Sequence, residues 1–297
     1  MRHNGVRMRD TNHIDSLSIS QVRLRTRELA RAANFYIGVL GLIRLDDLVD
    51  SEVRLGVRDD INPRIVLVED RRSASLQRAV PGLYHVALLL PSRKDLGIAI
   101  LALAAAGWRL DGASDHFVSE AVYLSDPDGN GIELYRDRPR DEWTWQDHDV
   151  VMGLDPFDFK GVVGEGEEAG ESWSGMPFGT TIGHMHLQVS DVAQSREFYE
   201  DVVGLEVTNR VYPGAAFLSA GGYHHHVGLN AWNTQGRSRP DSDLAGLIDW
   251  TIELPHSDAA SALLSRAAKA NALAEVHGEP FIIDPDGLRL RVLPAPS

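Results

Sequence analysis

Four times along the chain, a short run that alternates apolar and polar positions gives way to a helical period. The stretches are QVRLRTRELARAANFY (21–36), HVALLLPSRKDLGIAILALAAAG (85–107), HMHLQVSDVAQSREFY (184–199) and DWTIELPHSDAASALLSRAAKA (249–270). Alternation with period two marks a strand with one buried face, and apolar positions at i, i+3 and i+4 mark an amphipathic helix. Each helical run is followed by short apolar segments broken by Gly, Asp or Pro, which predict strands and tight turns. The repeating unit is therefore βαβββ, with modules starting near residues 17, 82, 181 and 246.

The two halves of the chain also repeat each other at nearly constant spacing, as a duplicated unit requires. NFYIGVLGL (34–42) returns as EFYEDVVGL (197–205), HVALLLP (85–91) as DWTIELP (249–255), and SDPDGNGIELY (125–135) as IDPDGLRLRVL (283–293). The expected fold is α+β, with four βαβββ modules forming two half-open β-barrels. The expected boundaries are a disordered tail over 1–13, one module pair over 14–138, a linker over 139–178 and a second pair over 179–297. GEGEEAGE (164–171) lies in that third segment and has the look of a solvated acidic linker.

Composition narrows the function. The net charge is −14, with no basic stripe to offset it, which argues against a nucleic-acid partner. No run approaches the roughly eighteen apolar residues of a membrane span, and no apolar segment follows the polar N-terminus as a secretory signal would require. A cytoplasmic protein is expected. Cysteine is absent, so any metal must be held by histidine and carboxylate.

The four-module pattern, with GLYHVALLLPSRKDLGIAI, DHFVSEAVYLSDPDGNGIELYRDRPR, IGHMHLQVSD and SAGGYHHHVGLNAW, resembles the vicinal oxygen chelate superfamily of glyoxalases, bleomycin-resistance proteins and extradiol dioxygenases. Within it the phrases are most similar to bacterial catechol-2,3-dioxygenases, over about residues 15 to 294. The resemblance implies a mononuclear metal, Fe(II) or alternatively Mn(II), held by two histidines and one carboxylate, with a small aromatic diol and O₂ as substrates. It also implies a homo-oligomer.

Aligning the modules on one another gives ligand candidates from the residues themselves. His85 and His184 each lie six residues before the end of the opening strand of modules 2 and 3, where modules 1 and 4 carry Gln21 and Asp249. Glu133, in the last strand of module 2, matches Arg291 in module 4. If modules 1 and 2 share a barrel, these groups are dispersed. If modules 2 and 3 share one, His85, Glu133 and His184 converge as a complete metal triad, and this pairing is preferred. His186 shares a strand face with His184 and is assigned to substrate contact.

The remaining assignments rest on the resemblance. His224, His225 and His226 read as part of the last strand of module 3, with His225 matching the acid/base histidine and His224 and His226 lining or bracing the pocket; the register is open by one residue. Tyr123 matches a tyrosine that hydrogen-bonds the substrate, and His116 matches a further active-site histidine. Trp143, Trp145, Trp173 and Trp232 are candidate pocket walls. Two rival readings stand beside this one: a glyoxalase-like isomerase or lyase, which needs a fourth protein ligand, and a metal-free binding protein.

Overall fold

A computed structural model of the chain describes residues 14–45, 51–240 and 243–295. The expected disordered tail, residues 1–13, lies outside them. The opening strands of the four modules are Ser18–Thr26, Gly82–Leu89, Thr181–Gln188 and Gly246–Leu254, as the alternation predicts. Each leads into a helix, at Leu29–Gly38, Arg93–Ala105, Val192–Phe198 and Ser257–Lys269. Ser92 starts the second helix by accepting the Asp95 amide on its hydroxyl, and Asp191 starts the third by accepting the amides of Ala193 and Gln194.

The modules pair crosswise. The opening strand of module 2 runs antiparallel to that of module 3, with His85 opposite His186 and Ala87 opposite His184. The opening strand of module 1 pairs in the same way with that of module 4, placing Gln21 opposite Thr251 and Arg23 opposite Asp249. A bridge between Ile19 and Ile182 joins the two half-open barrels into one continuous sheet. Alternation then sorts the side chains. Val22, Leu24, Val86, Leu88, Met185 and Leu187 are buried against the helices. The intervening positions face the concave side of each half-barrel, where the histidines of modules 2 and 3 stand.

The repeated phrases join neighbouring modules. The hydroxyl of Tyr36, from NFY, donates to Asp126 of the first DPDG turn at 3.0 Å. Tyr199, from EFY, does the same for Asp284 of the second at 3.3 Å. Each FY phrase closes on a glycine in the left-handed region, Gly41 (φ 68°) and Gly204 (φ 89°), where a side chain would be strained.

Two segments differ from expectation. The histidine tract does not lie in a strand: the flanking strands are Ala215–Ser219 and Val227–Asn230, and of the histidines between them only His226 has its backbone bonded to both neighbours, Leu218 and Met185. Gly221 and Gly222 both take left-handed φ, turning the chain out of the ladder before the histidines. The acidic stretch is also not a bare linker. Phe159–Glu168 forms a helix started by the Asp158 carboxylate, with Val162 and Gly166 buried. It packs so closely on the module 2 helix that a Cβ at Gly97 would lie 2.2 Å from the Val162 carbonyl. Among the described residues no helix is long and apolar enough to cross a membrane.

Candidate metal centre and active site

His85 and His184 come from the two antiparallel central strands, and Glu133 from the strand Gly131–Asp137, which runs parallel to that of His85. A register shift between Ile182 and His184 re-aims the latter's side chain. His85 Nε2 lies 2.9 Å from Glu133 Oε2, His184 Nε2 lies 3.2 Å from the same oxygen, and the two imidazole nitrogens are 3.2 Å apart. All three residues are at least 95% buried.

These separations are short enough for the three side chains to hold one metal ion. With bonds of about 2.1 Å, donors at right angles around a metal lie about 3.0 Å apart, whereas tetrahedral donors lie about 3.4 Å apart. Separations of 2.9 to 3.2 Å lie near these values and suit three donors sharing one ion, with positions left for other ligands. Burial pushes the Glu133 carboxyl upward, but His184 and His85 together outweigh it and hold it well below the usual carboxylate range. Burial pulls His184 down to about 4 against the opposing charge of Glu133. Neutral imidazoles and an ionised carboxylate are the forms in which these residues bind metal. The set fits a 2-His-1-carboxylate centre.

A cavity of about 290 Å³ opens over these three side chains. His225 lines it, its ring 4.2 Å from that of His184 and 4.8 Å from Phe217. Burial, then the neighbouring His184 and His224, keeps His225 well below the ordinary imidazole range, so it is neutral. His186 also lines the cavity, with its ring against Tyr84 and its buried Nε2 without a partner.

His224 and His226 do not line this cavity. His224 stands behind His225: its Nδ1 is 2.7 Å from His225 Nδ1 and its Nε2 is 2.8 Å from Asp137 Oδ1. His226 turns to the other side of the loop, where its Nδ1 meets the Ser219 hydroxyl at 3.0 Å. His116 and Tyr123 both reach the cavity, with His116 Nε2 2.6 Å from the Tyr123 hydroxyl. His116 Nδ1 lies 2.9 Å from the Gly153 carbonyl. Burial and the charge of Glu133 push the Tyr123 hydroxyl well above its ordinary value.

Of the four tryptophans, Trp232 lines the cavity. Trp143 packs with Tyr223 beneath His224, Trp145 is exposed, and Trp173 borders the main core. Several wall residues escape a reading of motifs, namely Tyr84, Tyr212, Phe217, Met152 and Leu154, the last two from the segment expected to be linker. Asp137 was missed as well, although Glu133, Tyr135 and Asp137 alternate on one strand and so share a face. Among the described residues lining the cavity none is Arg or Lys, and Glu133 is the sole carboxylate.

Comparison with known proteins agrees with this geometry. Residues 18–134 and 181–291 match the family model of the Glyoxalase/Bleomycin resistance protein/Dioxygenase superfamily. A catechol-2,3-dioxygenase of Bacillus subtilis (strain 168) is 41% identical over 258 residues, covering 85% of this chain and 88% of the relative. A solved structure from Bacillus subtilis subsp. subtilis str. 168 superposes with a TM-score of 0.64 at 12% identity, over 96% of this chain and 87% of the other. Glyoxalase I from Zea mays gives 0.54 at 15% identity, over 94% and 92%. The chain belongs to the Glyoxalase/Bleomycin resistance protein/Dioxygenase superfamily, and to its dioxygenase branch.

Proposed function

We propose that the protein is an Fe(II)-dependent extradiol dioxygenase that opens a catechol with O₂, with His85, Glu133 and His184 as the iron ligands. The observation that carries this reading is the clustering of three potential ligand atoms within 3.2 Å of one another beneath a cavity that also holds His225. Fe(II) there would supply a Lewis acid for the two diol oxygens and a redox partner for dioxygen. Catechol and O₂ combine without loss of atoms to give a 2-hydroxymuconic semialdehyde.

The protein's own part is proton handling, orientation and exclusion of water. The Asp137 carboxylate can only accept, so His224 carries a proton on Nε2, and its Nδ1 is taken as the acceptor toward His225. The short contact between the two Nδ1 atoms then makes His225 Nδ1 the donor and leaves His225 Nε2 as the base that takes a diol proton. On the other wall the Gly153 carbonyl fixes the proton of His116 on Nδ1. His116 Nε2 accordingly accepts from Tyr123, whose oxygen is left to accept a hydrogen bond from the second diol hydroxyl. His186, neutral and packed on Tyr84, Phe217 and Trp232, would border the ring face.

The isomerase reading asks for a fourth protein ligand. In module 3 the position matching Glu133 is Gly228, which faces His186 in the parallel ladder as Glu133 faces Ala87. No carboxylate stands there to act as ligand or base.

The test is oxygen uptake by protein loaded anaerobically with Fe(II) and then given catechol, with the visible spectrum recorded. Stoichiometric uptake with a yellow ring-fission product supports the proposal. Absence of uptake with iron bound and a range of catechols supplied refutes it.

A further inference from the structure

We propose that the segment 150–155 closes the half-open barrel of modules 2 and 3 and, through Met152 and Leu154, selects catechols that carry an apolar side chain on the ring. The inference rests on the dioxygenase reading above and names the substrate class of that same site.

The segment joins the two edges of the half-barrel. In the sheet order Gly112–Asp115 is the outermost strand on the module 2 side, and Glu206–Asn209 is the outermost on the module 3 side. Asp155 exchanges two backbone hydrogen bonds with Asp115, at 2.9 and 3.0 Å. At the other end the side-chain amide of Asn209 donates to the Val150 carbonyl at 2.9 Å, and Arg210 pairs with Asp149 at 2.7 Å. Val150 itself is buried with Val118, Trp143 and Tyr223. Between these anchors the Gly153 carbonyl meets His116 Nδ1, and the Phe117 ring occupies the space that a side chain on Gly153 would take. The chain is pinned at both ends and in the middle, so a wall built on it keeps its place.

Met152 and Leu154 flank Gly153, and both line the cavity. That cavity is graded from a polar floor to an apolar mouth. Its floor holds the buried His85, Glu133 and His184, whereas its most exposed lining residues are Leu154 (65%), Trp232 (45%) and Tyr84 (38%). The rings of Tyr84 and Trp232 stand edge to face, 5.4 Å between centroids. A lone exposed leucine needs no explanation. One that stands with two aromatic rings at the mouth of a ligand cavity is apolar surface that a ligand can cover.

Size and charge point to the same occupant. A void of roughly 150 Å³ is enough to hold a benzene ring. The cavity here is about 290 Å³, so a diol ring seated on the floor leaves room toward the mouth. None of the described lining residues is Arg or Lys, so the side chain that suits this space is apolar and uncharged.

The test is anaerobic titration calorimetry of the Fe(II)-loaded protein with catechol, 3-propylcatechol and 4-propylcatechol, followed by oxygen uptake with the same three. Burial of the added chain should make the better propylcatechol bind at least about tenfold tighter than catechol, with kcat/KM higher by a similar factor. Leu154→Ala, a change at an exposed position that leaves the fold intact, should cut that preference about threefold or more. Leu154→Arg should favour 3-(3,4-dihydroxyphenyl)propanoate, the same chain ending in a carboxylate, by at least about fivefold over 4-propylcatechol relative to wild type. Equal binding of catechol and both propylcatechols, or a preference that neither Leu154 substitution moves, would overturn the proposal. Tight, Leu154-dependent binding without oxygen uptake would instead refute the dioxygenase reading and support the subsite; uptake without preference would do the reverse.

Discussion

His224 hydrogen-bonds Asp137 at 2.8 Å and presents its other ring nitrogen to His225 at 2.7 Å, so a carboxylate on one strand orients an imidazole that itself never reaches the cavity. Asp137→Asn keeps the shape of this chain but offers Nε2 of His224 an amide in place of a pure acceptor. The expected outcome is a fall in kcat of roughly 10–100-fold with metal content unchanged, the usual effect of removing a partner behind an active histidine. Steady-state kinetics with iron analysis checks it; a loss of iron instead of turnover would contradict the proton-handling role.

Gly183 sits where the sheet leaves no room. A Cβ there would lie 1.7 Å from the hydroxyl of Tyr135, which bonds Tyr223 at 2.8 Å and whose ring packs 5.0 Å from that of His184. Gly183→Ala should cost about 1–3 kcal/mol of stability by overpacking. It should also lower iron occupancy, because the displaced ring abuts a ligand. Thermal unfolding together with metal analysis reads both effects.

The cavity wall makes a prediction about substrate. With no described Arg or Lys lining it, a carboxylate on the ring would be buried without a counter-ion. Such burial costs several kcal/mol, so kcat/KM for 3,4-dihydroxybenzoate should fall at least ~100-fold below that for catechol or 4-methylcatechol. Comparable values for all three would contradict this reading of the pocket.

Asp284 provides a pH test far from the metal. Burial raises its carboxyl to about 7, despite the donors of Leu288, Asp286 and Tyr199 that pull the other way. A folded-state value above the unfolded one means a contribution to stability that is full below about pH 4 and lost as the pH rises through about 7. Between pH 5 and 8 the wild type should therefore lose roughly 2–3 kcal/mol relative to Asp284→Asn. Denaturant unfolding of both proteins at the two pH values measures this directly. A constant difference between them would show that the carboxyl titrates normally.

Much of this was legible before the structure because the repeats carry it. The module starts follow from alternation, and His85, Glu133 and His184 follow from equivalent positions in successive modules, since a period-two ladder fixes which residues share a face. The crosswise pairing was legible through chemistry alone, as the arrangement that brings the three candidate ligands together.

What was hidden depends on contacts that have no period. The loop at His224 to His226 hangs on two left-handed glycines, and apolar residues on both sides made it read as strand. The helix over Phe159–Glu168 buries only Val162 and Gly166, the latter against Gly97, so its apolar face is too short to stand out from the acidic residues around it. Met152 and Leu154, which precede this helix, reach the cavity, and only the folded chain brings them there.

The most direct test of ring opening at this centre is to run the Fe(II)-loaded protein on catechol under ¹⁸O₂ and weigh the product. Extradiol cleavage places both labelled atoms in one ring-fission product, four mass units heavier than its unlabelled form, and His85→Ala and His184→Ala should yield none. An unlabelled product, or catechol oxidised to a quinone with the ring intact, would contradict it.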